Sequence, residues 1–305
     1  MNRIRYINPR VLIILFLLNY GKYISDVIYL KILYYLRMSK KLNLKNPVTF
    51  SEKLQWLKLY NRRQEYTMMV DKVAVKEYVA KVIGEEYIIP TLGIWNNPDE
   101  IDFDKLPEQF VLKCNHNSGL GMCICRDKNK LDISKVRAEL RKGLRQDYYL
   151  TGREWPYKNV KRKIIAEEFI STEKDMDLMD YKFFCFNGEP YYCQVISDRE
   201  KLMSIDFFDK DWNHQDFHEP KEYPFASKEI VRPKNFELMW NLARKLALDI
   251  PFVRVDFYNL NGQIYFGEIT FFPTSGMGGF EPEEWDEEFG DLLQLPVVEM
   301  KNIRD

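Results

Sequence analysis

Residues 252–279, FVRVDFYNLNGQIYFGEITFFPTSGMGG, leave this chain the least conformational freedom. Residues 252–258 and 264–271 are β-branched or aromatic at most positions, which predicts two strands. Residues 259–262 (NLNG) between them end in an Asn-Gly pair, which predicts a hairpin loop. Polar residues break the apolar pattern at set places. Arg254 and Asp256 are two apart and share one face of the first strand, as Glu268 and Thr270 do on the second. Pairing around the loop brings Asp256 close to Glu268. Two carboxylates on neighbouring strands repel unless a cation lies between them. An oxygen-only set suits Mg²⁺, completed by nucleotide phosphates and water. The same residues also read as the polar face of an ordinary hairpin, and spacing alone does not separate the two.

The 305 residues are enough for one large domain or two closely packed ones. With 30% charged and 46% hydrophobic residues the chain is globular, not disordered. A net charge of -1 gives no footprint for nucleic acid. Cys114, Cys123, Cys125, Cys185 and Cys193 are odd in number and lack zinc-knuckle spacing, so they read as free thiols in a reducing compartment. His214 and His218 lie four apart in a turn-rich stretch with no third ligand nearby, which argues against zinc. No serine sits in a nucleophile-elbow pattern.

Arg3, Arg5 and Arg10 flank VLIILFLL (11–18), and a second apolar run covers about 27–36. Eight apolar residues are too few to span a bilayer, and no small-residue cleavage site follows. These residues read either as two helices packed on the main domain or as a helix resting on the inner face of a membrane. Beyond Asn46-Pro47, Thr49 or Ser51 caps a helix whose apolar face carries Leu54, Trp56, Leu57 and Tyr60. A further helix over 67–83 stops near Gly84, with a strand at 87–89 before Pro90.

Residues 110–125 (FVLKCNHNSGLGMCIC) predict a strand, a polar glycine-bearing loop and a second strand. Lys113 sits inside the first strand, and a buried lysine needs an anion. The loop at 115–121 offers backbone N–H groups to phosphates, although it is not a Walker A sequence. His116 reads equally as a phosphate neighbour or a structural loop histidine. An amphipathic helix over 132–146 is followed by an irregular stretch in which Arg153, Glu154 and Trp155 suit an anionic sugar. Residues 164–170 form an apolar strand ending in Glu167 and Glu168. Residues 180–199 alternate and turn at Asn187-Gly188. The spacing of Phe236, Met239, Trp240, Leu242, Ala243, Leu246 and Ala247 marks a core helix, and the acidic, aromatic stretch after 279 suits a capping helix.

Arg254, Asp256, Phe257 and Glu268 resemble the last motif of ATP-grasp enzymes such as D-alanine–D-alanine ligases. Thr270 stands where that motif usually has a metal-binding Asn, and Pro273-Thr274 where it usually has Pro-Gly. The phrases NPVTFSEKLQWLKLY, FVLKCNHNSG, DYKFFCFNGEP and FVRVDFYNLNGQIYFGE resemble the TupA-like ATP-grasp family over about residues 40–290. Its members are associated with teichuronopeptide and other cell-surface polysaccharide synthesis.

The resemblance implies an α+β, ATP-grasp fold with two α/β lobes whose antiparallel sheets clasp the nucleotide. It divides the chain into a helical extension (1–38), an ATP-grasp domain (39–290, lobes about 67–165 and 166–290) and a tail (291–305). It implies ATP and Mg²⁺ as cofactors. Lys72 (with Lys76 as its rival), Lys113, Asn115, Ser118 and Gly119 would meet the phosphates. Glu167, Glu168, Phe169 and Ile170 would form the hinge that reads adenine and ribose, with Asp180 near the ribose. Asp256, Glu268 and Thr270 would hold the metal. Lys182, Arg199 and Arg254 would act on the transferring group and the substrate. The implied activity is an ATP-dependent ligase joining an amino acid or amine to a carboxylate-bearing glycan or precursor. It would work in the cytoplasm, with peripheral membrane contact through residues 11–36 under the second reading of that stretch. Two alternatives are a glycosyltransferase, for which no strand ends in Asp-x-Asp, and a nucleotide-binding assembly factor without turnover, which Thr270 leaves open.

Overall fold

Residues 9–170, 178–197, 203–220 and 222–297 are described by a computed structural model. The chain begins with helices α1 (Pro9–Tyr20) and α2 (Asp26–Met38). Ser25 caps α2, its hydroxyl accepting from the Ile28 N–H at 3.5 Å. One face of α2 buries Tyr29, Leu30, Leu33, Tyr34 and Leu36, at helical spacing. By contrast, α1 is apolar all round and buries only Leu17. Among the described residues no helix is long and apolar enough to cross a membrane.

Helix α3 (Phe50–Tyr60) starts at Thr49, whose side chain forms a capping box with Glu52, a device worth about 1 kcal/mol. The single helix predicted over 67–83 is two, α4 (Glu65–Val70) and α5 (Val75–Ile83). Asp71 breaks it with extended backbone, and its carboxylate accepts from the Val73 N–H at 2.9 Å and from Asn115 Nδ2 at 2.7 Å. A local side-chain bond here outcompetes the helical ladder. Helix α5 does stop at Gly84, whose φ of 126° suits glycine. No strand forms at 87–89: a 3₁₀ turn (Glu85–Tyr87) ends there, and β1 (Thr91–Trp95) begins only after Pro90. Proline cannot donate to a ladder, so it sits at the strand's start, its carbonyl accepting from the Glu168 N–H at 3.1 Å.

With β2 (Phe110–Cys114), β3 (Met122–Cys125) and β4 (Ile164–Glu168), β1 forms a four-stranded antiparallel sheet in the order β1-β4-β2-β3. Helix α6 (Ile133–Arg145) lays Val136 and Leu140 against Phe110, Leu112 and Ile164. The β2–β3 loop approaches this helix closely. A Cβ on Gly121 would lie 2.8 Å from the Gly143 Cα. Helix α7 (Tyr149–Gly152) and a 3₁₀ turn (Trp155–Asn159) lead back to β4.

Strands β5 (Asp180–Phe186), β6 (Glu189–Ser197), β7 (Ser204–Phe208), β8 (His214–Gln215), β9 (Phe252–Leu260) and β10 (Gln263–Thr270) form a six-stranded sheet, ordered β10-β9-β5-β6-β7-β8. Both predicted Asn-Gly turns are present, with φ of 51° and 88° at Asn187-Gly188 and 52° and 92° at Asn261-Gly262. Two successive positive φ values match the right-handed twist of the strands. Every residue of β5 is buried. Helix α8 (Phe236–Ala247) packs on this sheet, and α9 (Trp285–Leu292) sets Phe289 among Phe50, Phe184 and Phe217.

One carboxylate ties the N-terminal helices to the rest. Asp26 accepts from Arg62 at 2.6 Å and from the Tyr149 hydroxyl at 2.6 and 2.7 Å, and Arg153 Nε lies 3.2 Å away. Arg153 itself is 1% exposed, donates to the Gly21 carbonyl at 2.6 Å, and stacks over the Tyr29 ring at 4.0 Å. The loop predicted to receive a substrate through Arg153 therefore turns that side chain inward, because α2 provides its counter-charge. Burial alone would raise the Asp26 pKa, but Tyr149, Arg62 and Arg153 together lower it. Asp26→Ala leaves the Arg153 charge buried without its carboxylate and should cost about 3 kcal/mol in urea unfolding. A folded pKa below the unfolded value places this contribution above pH ~4, and it is lost as pH falls through the folded pKa. The gap between wild type and Asp26→Ala should thus narrow in acid.

Candidate active site

The β9–β10 register pairs Asp256 with Glu268 and Arg254 with Thr270, both beyond a bulge between Phe266 and Glu268. All four polar side chains meet on one face. Arg254 donates to both Asp256 oxygens at 2.8 Å, and its Nη2 reaches Glu268 Oε1 and Thr270 Oγ1 at 3.3 Å. The Thr270 hydroxyl also donates to Glu268 Oε1 at 3.3 Å. Across the sheet, Lys182 on β5 pairs with Asp256 in register, donates to its Oδ2, and lies 3.5 Å from Asp180 Oδ2. The cation demanded between the carboxylates is met here by the guanidinium of Arg254, backed by Lys182. Burial would lower the Arg254 pKa, but Asp256 and Glu268 raise it, so the group stays charged.

The facing wall comes from the smaller sheet. Lys113 on β2 and Lys76 on α5 both bind the buried carboxylate of Glu167 on β4, Lys76 at 2.7 Å. Lys72 lies in the break between α4 and α5. Its N–H donates to the Asn115 carbonyl at 3.1 Å and its ammonium to the Asn117 carbonyl at 2.7 Å. Phe266, Glu268 and Ile269 close the same narrow gap from β10. Burial alone would raise the Glu268 pKa. Lys72, Lys182, Arg254 and Lys113, drawn from both sheets, instead bring it down to about 2. Its side chain keeps 38% of its surface open, against 5% for Asp256.

The remaining predicted residues divide. Ser118 and Gly119 form the exposed tip of the β2–β3 loop, and Ser118 lines a cavity shared with Arg254 and Glu268. Asn115 is wholly enclosed. Its amide donates to Asp71 at 2.7 Å and to the Lys161 carbonyl at 2.9 Å, so it holds the loop in shape. His116 is likewise buried and bonds the Gln146 carbonyl at 3.1 Å, which favours its structural reading. Adjacent strand residues point to opposite faces, so Glu167 enters the gap while Glu168 does not. Glu168 and Phe169 border a separate depression with Arg126, whose guanidinium lies 5.4 Å from the Phe169 ring. Ile170 is half-buried at the end of the described stretch, and Arg199 lies outside the described residues.

A cavity of about 530 Å³ opens beside Arg254, Glu268 and Thr270. Glu154, Tyr148 and Tyr157 line it, as do Thr274 and Ser275, which adopt φ of 48° and 58°. Burial raises the Glu154 pKa against the pull of Lys58, which is itself buried and lowered to about 7 by desolvation. Lys58 donates to Gln55 at 2.9 Å and to the Gly152 and Ser275 carbonyls at 2.8 Å. Behind Thr274, burial raises Glu219 to about 7. Lys58 and Glu219 carried no sequence signal, since each reads as an ordinary surface charge.

Two antiparallel sheets facing each other across a gap lined with lysines are the architecture of the ATP-grasp class. Within it, the sequence model of the TupA-like ATPgrasp family matches residues 52–294, and the chain belongs to that family. Similar solved structures include D-alanine–D-alanine ligase from Bacillus anthracis in complex with ATP, at 18% identity and a TM-score of 0.38 over 67% of this chain and 53% of that one. The Helicobacter pylori D-alanine–D-alanine ligase shows 17% identity and a TM-score of 0.41 over 80% and 69%. A biotin carboxylase from Campylobacter jejuni shows 14% and 0.43 over 75% and 48%. The chain thus spans about half the length of the Bacillus anthracis enzyme. A search of curated proteins finds no match.

Because Lys72 is the largest of the cationic influences on Glu268, Lys72→Met should raise the Glu268 titration midpoint. Carboxyl ¹³C shifts measured against pH would report this, and an unmoved midpoint would place Lys72 outside the gap's electrostatics.

Proposed function

We propose that the protein is an ATP-dependent carboxylate–amine ligase of cell-surface polysaccharide synthesis. The observation that carries this reading is Glu268, open to the gap and bonded by Arg254 at 3.3 Å, with the charges of Lys72, Lys182 and Lys113 from both walls lowering its pKa. A metal–polyphosphate needs that combination, a carboxylate for the metal and ammonium groups for phosphate oxygens. Glu268, Thr270 and Asp256 supply oxygen only, which fits Mg²⁺. Glu268 is the exposed member, while Asp256 has both oxygens engaged by Arg254 and Lys182. When bound, Mg²⁺ neutralises charge on the phosphates.

On this reading Lys72, Lys113 and Lys182 bind phosphate oxygens, and the backbone around Ser118 and Gly119 covers them. Glu167 keeps Lys113 and Lys76 aimed, and the backbone of residues 167–170 meets the adenine. Asp180, held near Lys182, faces the ribose side. A carboxylate oxygen of the substrate attacks the γ-phosphorus, and the bond to the β-phosphate oxygen breaks to release ADP. The acyl phosphate so formed is attacked at carbon by an amine, phosphate departs, and the amine nitrogen loses a proton. Arg254 stabilises charge on the transferring group, so positioning and electrostatics do the work without a covalent protein intermediate. Family membership and the shared sequence phrases support a uronic-acid-type glycan or precursor as the carboxylate, with an amino acid or amine as its partner.

The exposed helix α1 supports peripheral contact with the inner face of a membrane. Leu12, Leu15, Phe16 and Tyr20 are between 49% and 56% exposed, with Arg10 and Lys22 at the two ends. Apolar faces with basic flanks lie in the plane of anionic bilayers.

Glu268→Gln should lower ATP-dependent phosphate release roughly 100-fold while leaving the fold intact. Lys113→Ala should weaken ATP binding about tenfold, the loss of one charge-assisted contact. Nucleotide binding without phosphate release from any carboxylate–amine pair would shift the reading to a nucleotide-binding factor, and turnover of a sugar nucleotide would shift it to a glycosyltransferase. For the membrane contact, Leu12→Glu with Phe16→Glu should abolish co-sedimentation with phosphatidylglycerol vesicles. Retained binding would remove α1 from that role.

A further inference from the structure

The N-terminal helices lie outside the matched stretch of residues 52–294, yet α2 sends Arg37 into the wall of the 530 Å³ cavity. Arg37 is an exposed residue, and among the described residues no carboxylate comes within ion-pair distance of it. Glu154 lines the same cavity and is 4% exposed. The Arg37 charge acts on Glu154 and on Tyr148, and Tyr148 also feels Arg254 and Glu268. Arg37 and Glu154 thus line one cavity without closing on each other, and Glu154 lies also in the field of the buried Lys58 behind it. At one end lies the reacting centre at Arg254 and Glu268. Its volume falls in the range of small-molecule sites and exceeds what a few waters need.

This placement is built, not incidental. Asp26 on α2 is bound by Arg62, Tyr149 and Arg153, and the Tyr29 hydroxyl donates to the Thr151 carbonyl at 3.1 Å. Tyr149, Thr151 and Arg153 flank Gly152 and Glu154, so the bonds that fix Arg37 also fix the acidic side of the cavity. Met277, another lining residue, packs in the same cluster as Leu30 and Leu33 of α2.

Resting on the ligase reading above, we propose that this cavity binds the amine reactant as an α-amino acid, its ammonium facing Glu154 and its carboxylate held by Arg37. A zwitterion satisfies both charges, whereas a second polyphosphate would face Glu154 and Glu222 across the same space. A simple amine would leave the Arg37 guanidinium without an anion. Arg37 is then a specificity residue contributed by the N-terminal helices.

The test is isothermal titration calorimetry on the full chain, with and without a non-hydrolysable ATP analogue and Mg²⁺. The probes are glycine, L-alanine, L-aspartate, L-glutamate and L-lysine, each against its decarboxylated amine, with acetate as the carboxylate-only control. At least one amino acid should bind, and its amine and acetate should bind roughly 10- to 100-fold more weakly. Arg37→Ala should weaken the amino acid to the level of the amine and leave the affinity for the ATP analogue unchanged. Arg37→Lys, which keeps the charge but not the planar fork, should recover part of the loss. The assignment is overturned if the amine binds as well as its amino acid, if Arg37→Ala changes nothing, or if none of the amino acids binds. Loss of ATP-analogue binding in the wild type would instead sink the ligase reading, and the amino-acid titrations would still judge Arg37 on their own.

Discussion

Asp256 is held by two cations, and the larger sheet is organised around that contact. Lys182 reaches it from β5 and Arg254 from two residues away on its own strand. All three side chains lie in a sheet whose middle strand is entirely buried. Charges in such a place are tolerated only as partners, since each alone would carry the full desolvation cost. Removing any one strands the others. The register therefore carries two demands at once, an apolar side for α8 and a paired, charged side for the gap. A one-residue slip of β9 against β5 would bury the charges in the aromatic core.

The smaller sheet solves the same problem differently. Glu167 is its single buried acid facing the gap, and Lys76 and Lys113 share it. Burial is the largest influence on Glu167 and acts to raise its pKa, yet the two lysines prevail and lower it. The lysines thereby gain a fixed position at the cost of half an anion each. Among the described residues no carboxylate lies within ion-pair distance of Lys72, and its ammonium donates to the Asn117 carbonyl of the β2–β3 loop instead. It is consequently the cation with most to gain from an incoming anion.

Much of this was legible in the chain. The two Asn-Gly turns, a helix cap at Thr49 or Ser51 and the polar quartet at Arg254, Asp256, Glu268 and Thr270 follow from local chemistry, and the structure selects Thr49 as the cap. The failures are tertiary. The helix over 67–83 breaks because Asp71 serves Asn115, a partner 44 residues away. Arg153 turns inward because Asp26 on α2 awaits it. Strand alternation alone separates Glu168 from Glu167. Arg37 could not have been found, because a lone arginine at the end of an apolar helix has no periodicity to betray what it faces.

On one side of the gap Lys72 bonds the β2–β3 loop and Glu167 binds Lys76 and Lys113, while Lys182, Asp256, Arg254 and Glu268 are linked on the other. Across the gap, the charge interaction runs through Glu268. Such a contact is long-ranged and undemanding of geometry, so it draws the two walls together without locking them. An anion entering the gap would meet ammonium groups from both walls and replace that loose attraction with charge-assisted bonds to each. The same arrangement lowers the Glu268 pKa although its side chain is partly open. Its charge balances cations from both walls, and the cavity beside it, walled by α2 and the 148–157 segment, opens onto the same carboxylate.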